Sequence, residues 1–99
     1  MVLYTVAVIT SFRHKGLEAF FRTASKSGIQ PHHADKLRLI LTVLNRAKSP
    51  GDVSGPGLFL HGLSGKLAGF LSVRVSGNWR VVFRFDGTDV ELVDYLDYH

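Results

Sequence analysis

The sequence predicts an α+β fold: two N-terminal helices packed on a small antiparallel sheet. Three observations predict it. Apolar residues recur at helical spacing through the first half, as Leu17, Phe20, Phe21 and Ala24 and then as Leu37, Ile40, Leu41 and Leu44. Beyond position 58 the apolar period falls to two. Between them "SPGDVSGPG" at 49–57 is a cluster of turn residues that marks the switch. A chain of 99 residues, 45% apolar and 20% charged, is enough for one domain with one core.

The single domain is expected to span 1–99, with an apolar leader over 1–8, a strand and helix hairpin over 9–48, and the sheet over 58–99. The opening "MVLYTVAVIT" is far shorter than the roughly 20 residues of a membrane span and has no basic cluster before it, so it reads as an edge strand or a short leader to one. In "SFRHKGLEAFFRTASKSG", Ser11 is the expected helix cap and Gly28 the stop. In "QPHHADKLRLILTVLNRAKS", Pro31 stands at the start and Asp35 in the first turn, while Arg38, Arg46 and Lys48 fall toward the end that favours cations. Strands are expected at "LFLHGL" (58–63), "GFLSVRV" (69–75), "WRVVFRF" (79–85) and "VELVDYL" (90–96). Alternation puts Trp79, Val81, Phe83 and Phe85 on one face and Arg80, Val82 and Arg84 on the other.

Charge is divided along the chain. All twelve Lys and Arg lie before position 86, against only Glu18, Asp35 and Asp52, whereas 86–99 hold five acids and no Lys or Arg. A basic body of this kind favours nucleic acid as a partner. There is no cysteine, which excludes disulfides and thiolate metal sites and suits a cytoplasmic protein.

His61, Arg80 and His99 form the candidate chemical set. Cleaving RNA without a metal needs a base for the 2'-hydroxyl proton, an acid for the leaving 5'-oxygen and a cation for charge growing on the phosphate. Two imidazoles titrating near neutrality suit the first two tasks, and a guanidinium suits the third. Tyr98 is placed to stack on a base, and Asp97 to orient a histidine or accept a proton. Each residue also has a structural reading: His61 as a surface histidine, Arg80 paired with Asp94, and Tyr95 and Tyr98 as edge aromatics completing the core. His14, His32 and His33 read as solvated residues at helix starts. The adjacent pair lacks the spacing of metal ligands, and no metal or cofactor is expected.

The order "SFRHKGLEAFF", "LHGLSGK", "GFLSVRVSGNWRVVFRF" and the closing "VDYLDYH" resembles the HigB branch of the RelE/ParE toxin superfamily over about 9–99. The resemblance implies a RelE-like, microbial-ribonuclease-like sheet faced by two helices. It also implies a metal-independent, ribosome-dependent endoribonuclease that cuts mRNA in the A site and arrests growth. By position it assigns His61, Arg80, Asp97, Tyr98 and His99 to catalysis. Lys66, Arg74, Arg13, Lys15 and Arg22 are the expected RNA-backbone contacts. The implied partners are the ribosome with its mRNA and a HigA-like helix-turn-helix antitoxin, through which alone operator DNA is met. The chain departs from the family pattern at Gly62, Ser64, Lys66, Phe70 and Leu71, and Ser64 stands where the family carries a phosphate-facing lysine. An alternative expectation follows, a degenerate or non-catalytic toxin-fold module that binds an antitoxin or another protein target, as the ParE branch does.

Overall fold

The computed structural model describes residues 9–98, so the expected leader over 1–8 and His99 lie outside the described residues. The first apolar stripe forms helix α1, Lys15–Thr23, with Leu17 and Phe20 buried. Its cap is His14, whose Nδ1 accepts the Leu17 N–H at 2.9 Å. Ser11, the cap expected from sequence, instead accepts the N–H of Leu92 far along the chain, also at 2.9 Å. The helix ends at Ala24 in the left-handed region, short of Gly28, with the Ala24 N–H returned to the Phe20 carbonyl at 2.9 Å.

Gly28 serves packing instead. A Cβ built on Gly16 would lie 2.3 Å from the Gly28 carbonyl oxygen, so the start of α1 and the loop leaving it touch backbone to backbone. Pro31–His33 then make one 3₁₀ turn leading straight into helix α2, Ala34–Leu44. Proline suits this entry because its missing N–H would have no helical acceptor there. The stripe Leu37, Ile40, Leu41 and Leu44 is buried, as its spacing predicts.

Four strands follow, β1 (His61–Gly62), β2 (Leu71–Ser76), β3 (Trp79–Asp86) and β4 (Asp89–Asp97), antiparallel throughout and in sequence order across the sheet. Gly77 and Gly87, both at positive φ, make the turns around β3. The strand expected over 58–63 is reduced to two residues because Phe59 turns to φ +50 and breaks the extended run. Leu58 before the break still lies beside β2, its carbonyl accepting the Arg74 N–H at 2.7 Å.

Residues 9–14 run parallel to β4 without becoming a regular strand, bridging at Ile9 to Val90 and Phe12 to Val93. Thr10 and Arg13 donate backbone N–H bonds to the Val90 and Val93 carbonyls, each at 2.8 Å. Leu92 stands at φ +56 where the β3–β4 register shifts, and Ser11 satisfies its N–H at this bulge.

The inner face of the sheet, with Val73, Val81, Phe83, Val90 and Val93 fully buried, closes on the stripes of α1 and α2. Each such side chain contributes about 1.5–3 kcal/mol relative to exposure. The outer face carries Arg74, Arg80 and Arg84, and on it Val82 and Phe70 are buried apart from the main core.

The Gly16 contact yields a sign test. Alanine at an ordinary helix position gains up to about 1 kcal/mol over glycine, but Gly16→Ala should lower stability by about 1–3 kcal/mol, because backbone must move to admit the methyl group. Urea denaturation followed by circular dichroism measures the difference.

Candidate active site

The outer face is set by strand register. Arg74 on β2 is directly opposite Arg80 on β3, Ser72 is opposite Val82, and His61 on β1 is opposite Ser72. Because side chains two apart share a face, Ser72, Arg74, Arg80 and Val82 stand on the side away from the helices. A groove of about 460 Å³ opens there, lined by His61, Ser72, Arg74, Arg80 and Tyr98 together with Phe59 and Leu63.

None of these lining residues is acidic. Like charges directly opposite across strands destabilise a sheet, yet among the described residues neither Arg74 nor Arg80 forms an ion pair. Arg80 is half-buried and held by carbonyls, its Nη1 donating to Gly77 at 2.7 Å and to Trp79 at 3.0 Å. The cross-sheet pairing with Asp94 does not form: Arg80 is in register with Leu96, and Asp94 accepts the Tyr95 N–H at 2.9 Å. Arg74 lies with its guanidinium carbon 5.8 Å from the centre of the Phe59 ring. Two guanidinium groups that form no ion pair with a described carboxylate make an anion site suited to phosphate oxygens.

Tyr98 reaches the groove because its backbone N–H donates to the Asn78 carbonyl at 2.8 Å, tying the chain's end to the β2–β3 turn. His61, exposed on the short edge strand, faces the same space. Of the expected catalytic set, His61, Arg80 and Tyr98 therefore meet. Asp97 is placed elsewhere. It pairs in register with Trp79, shares the inner side of β4 with the buried Tyr95, and acts electrostatically on His33 and Tyr95. Adjacent strand residues point to opposite faces, which separates Asp97 from Tyr98. His99 lies outside the described residues.

Of the expected RNA-backbone contacts only Arg74 lines the groove. Lys66 is exposed on the Gly65–Leu67 turn, beside Ser64 at the start of that turn, and neither lines it. Arg13 and Lys15 are exposed at the entry to α1, and Arg22 pairs with Glu18 at 3.0 Å on the same helix. At Gly62 an added Cβ would meet only a Leu71 methyl at 4.0 Å, so that position does not require glycine.

The expectation that His14, His32 and His33 are solvated holds for His32, which is exposed, and is corrected for the other two. His14 caps α1, and His33 is only 3% exposed. Its Nδ1 is 2.6 Å from the Tyr95 hydroxyl, and its ring meets Trp79 edge-on, with Trp79 in turn stacked on Tyr95 at 4.5 Å. Sequence spacing missed this cluster because His33, Trp79 and Tyr95 belong to three elements distant in the chain. Burial lowers the His33 pKa from its usual value, with the nearby His32 adding to the effect and Asp97 opposing it. Burial also raises the Tyr95 phenol, with Asp97 adding and the Gln30 N–H opposing. Among the described residues no group of three or more His, Cys, Asp or Glu is placed to hold a metal ion. No helix among them is long and apolar enough to cross a membrane.

The chain's similarities agree with this architecture. Residues 10–99 match the family described as the RelE-like toxin of type II toxin-antitoxin system HigB. Endoribonuclease HigB of Proteus vulgaris is 34% identical over 92 residues, which span 93% of this chain and all of that protein. The fold is shared with the YoeB dimer from Staphylococcus aureus, at a TM-score of 0.59 and 20% identity, covering 94% of this chain and 97% of that one.

The depressed His33 pKa fixes a sign for stability against pH. The unfolded chain takes up the proton at higher pH than the fold does, so this contribution is complete above about pH 6.5 and is lost as pH falls below it. Thermal unfolding between pH 7 and pH 5 should show a shallower acid decline for His33→Asn than for the unmodified chain.

Proposed function

We infer how the groove works from one premise: the chain belongs to the HigB-like toxins, the RelE-like toxins of type II toxin-antitoxin systems. It is accordingly an endoribonuclease toxin whose system supplies an antitoxin as partner. The substrate we propose is messenger RNA in the ribosomal A site, cut in the cytoplasm without a metal. The antitoxin we propose is HigA-like, with a helix-turn-helix domain through which the pair meets operator DNA.

One observation supports this reading above the others: Arg74 and Arg80 oppose each other in a groove that contains an imidazole and a phenol but, among the described residues, no acidic side chain in its lining. In the proposed reaction the 2'-oxygen attacks phosphorus, the bond to the 5'-oxygen breaks, and a cyclic phosphate and a 5'-hydroxyl result. Arg80 stabilises the charge that grows on the non-bridging oxygens, with its guanidinium already fixed by two carbonyls. Arg74 holds the neighbouring backbone. His61 is one proton-transfer group, and His99, the residue after the groove-lining Tyr98, is the other. Tyr98 stacks on a base beside the cut.

Asp97, on the inner side, we propose as an orienting group for the chain's end, in contact with the field of His33 and Tyr95. Lys66, Arg13, Lys15 and Arg22 we assign to ribosomal RNA, met outside the groove.

The rival expectation of a non-catalytic module draws on Ser64, which leaves the groove without the family's lysine. With Arg74 and Arg80 both present, we propose that cleavage persists at a rate lowered by one to two orders of magnitude, the effect of about 1.5–3 kcal/mol from one charge-assisted contact.

Arg80→Ala should cut the cleavage rate on programmed ribosomes by about 10²–10³-fold, the usual cost of one oxyanion donor, and Arg80→Lys should recover only part of it. Primer extension on messages after induction reads new 5' ends. Growth arrest with intact messages by the unmodified chain would refute the nuclease reading.

A further inference from the structure

Phe59 is an anomaly on the rim of the groove. It is 66% exposed, the largest exposure of any bulky apolar residue among those described, and its backbone sits at φ +50. Single exposed apolar side chains are ordinary on a protein surface, but a bulky residue in the left-handed region is not. The neighbours give no reason for the strain on Phe59's own account. Leu58 is 3% exposed and its carbonyl is bound to β2, and Leu60 packs against the core, so the segment is anchored on both sides of the residue that turns outward.

The ring has one close companion of functional kind, the Arg74 guanidinium, 5.8 Å from its centre. Arg74 is opposite Arg80 and lines the groove with it. The strand order puts the 58–62 segment at one side of the groove and the β4 end with Tyr98 at the other. An aromatic ring therefore flanks the two arginines on each side. Cations between two exposed rings match a single-stranded polynucleotide, whose phosphates alternate with bases that any aromatic face accepts.

We infer that Phe59 is a second base-stacking platform, which takes a nucleobase of single-stranded RNA on the side of the groove away from Tyr98, with Arg74 bound to the adjoining phosphate. The inference rests on the groove being the RNA site proposed above. Stacking on a phenyl face involves no hydrogen bond, so Phe59 adds affinity and fixes which phosphate lies on Arg80 without selecting a base. The left-handed backbone is the means of presentation: it interrupts the strand at the one residue that must leave it.

Three full-chain variants, Phe59→Ala, Phe59→Gly and Phe59→Trp, test this by titration with a single-stranded oligoribonucleotide and with the same oligonucleotide made abasic. Cleavage of messenger on programmed ribosomes is measured in parallel. Phe59→Ala and Phe59→Gly should bind the intact RNA about tenfold more weakly and lose the corresponding share of discrimination against the abasic one, Tyr98 keeping the rest. Phe59→Trp should keep the original affinity, with the added indole quenched on binding. Phe59→Gly should also unfold at the same temperature as the unmodified chain or higher, because glycine adopts this backbone without strain; a structural role for the ring predicts a lower one. Unchanged affinity in Phe59→Ala, or no binding of the oligoribonucleotide by the unmodified chain, overturns the inference. If the unmodified chain binds RNA but never cuts it, the nuclease reading falls while the titration still decides the stack.

Discussion

Everything in the groove is positioned from β3, which is paired on both sides and lies over the core. Val81 and Phe83 are fully buried beneath it, and a slip of one residue would turn both to solvent and drive Arg80 inward. Burial of those two side chains contributes several times about 1 kcal/mol, whereas opposing Arg74 to Arg80 costs about 0.2–1 kcal/mol. The core therefore holds the two guanidinium groups face to face against their repulsion. The site's charge arrangement is a consequence of hydrophobic register rather than of any contact within the site.

The inner side of the same strand end is built differently, from rings. Trp79 lies on Tyr95, His33 meets both, and the Tyr95 hydroxyl is bonded to His33. The turn that starts α2 is thus joined to the ends of β3 and β4, one residue from Arg80 on the first and three from Tyr98 on the second. Arg80's guanidinium is held by two carbonyls, and the cluster fixes the neighbouring Trp79 on the inner face, so the guanidinium loses little freedom on meeting an anion.

Much of this was legible in the sequence. The stripes of α1 and α2, the alternation along β3 and the opposition of Arg74 and Arg80 about the "SGN" turn all follow from periodicity, which long elements carry redundantly. The differences fall where one residue decides. Ser11 is the usual capping type and His14 is not, yet His14 caps α1 because Ser11 is taken by a bulge at Leu92, remote in the chain. Phe59 breaks a strand for which its residue type is well suited, and nothing local signals that. Asp97 and Tyr98 were grouped by adjacency, although the alternation that sorted β3 also separates them. His33 read as solvated because its partners come from strands far along the chain, and no periodicity links a helix start to a strand end.

The run of residues 9–14 along β4 has a bearing on solution behaviour. A sheet's outermost strands present unpaired amide and carbonyl groups that invite another chain to extend the ladder. Here the β4 margin is occupied over Val90–Val93, and the opposite margin ends in a strand of only two residues. Among the described residues the sheet therefore offers little template for fibrillar self-association through its edges.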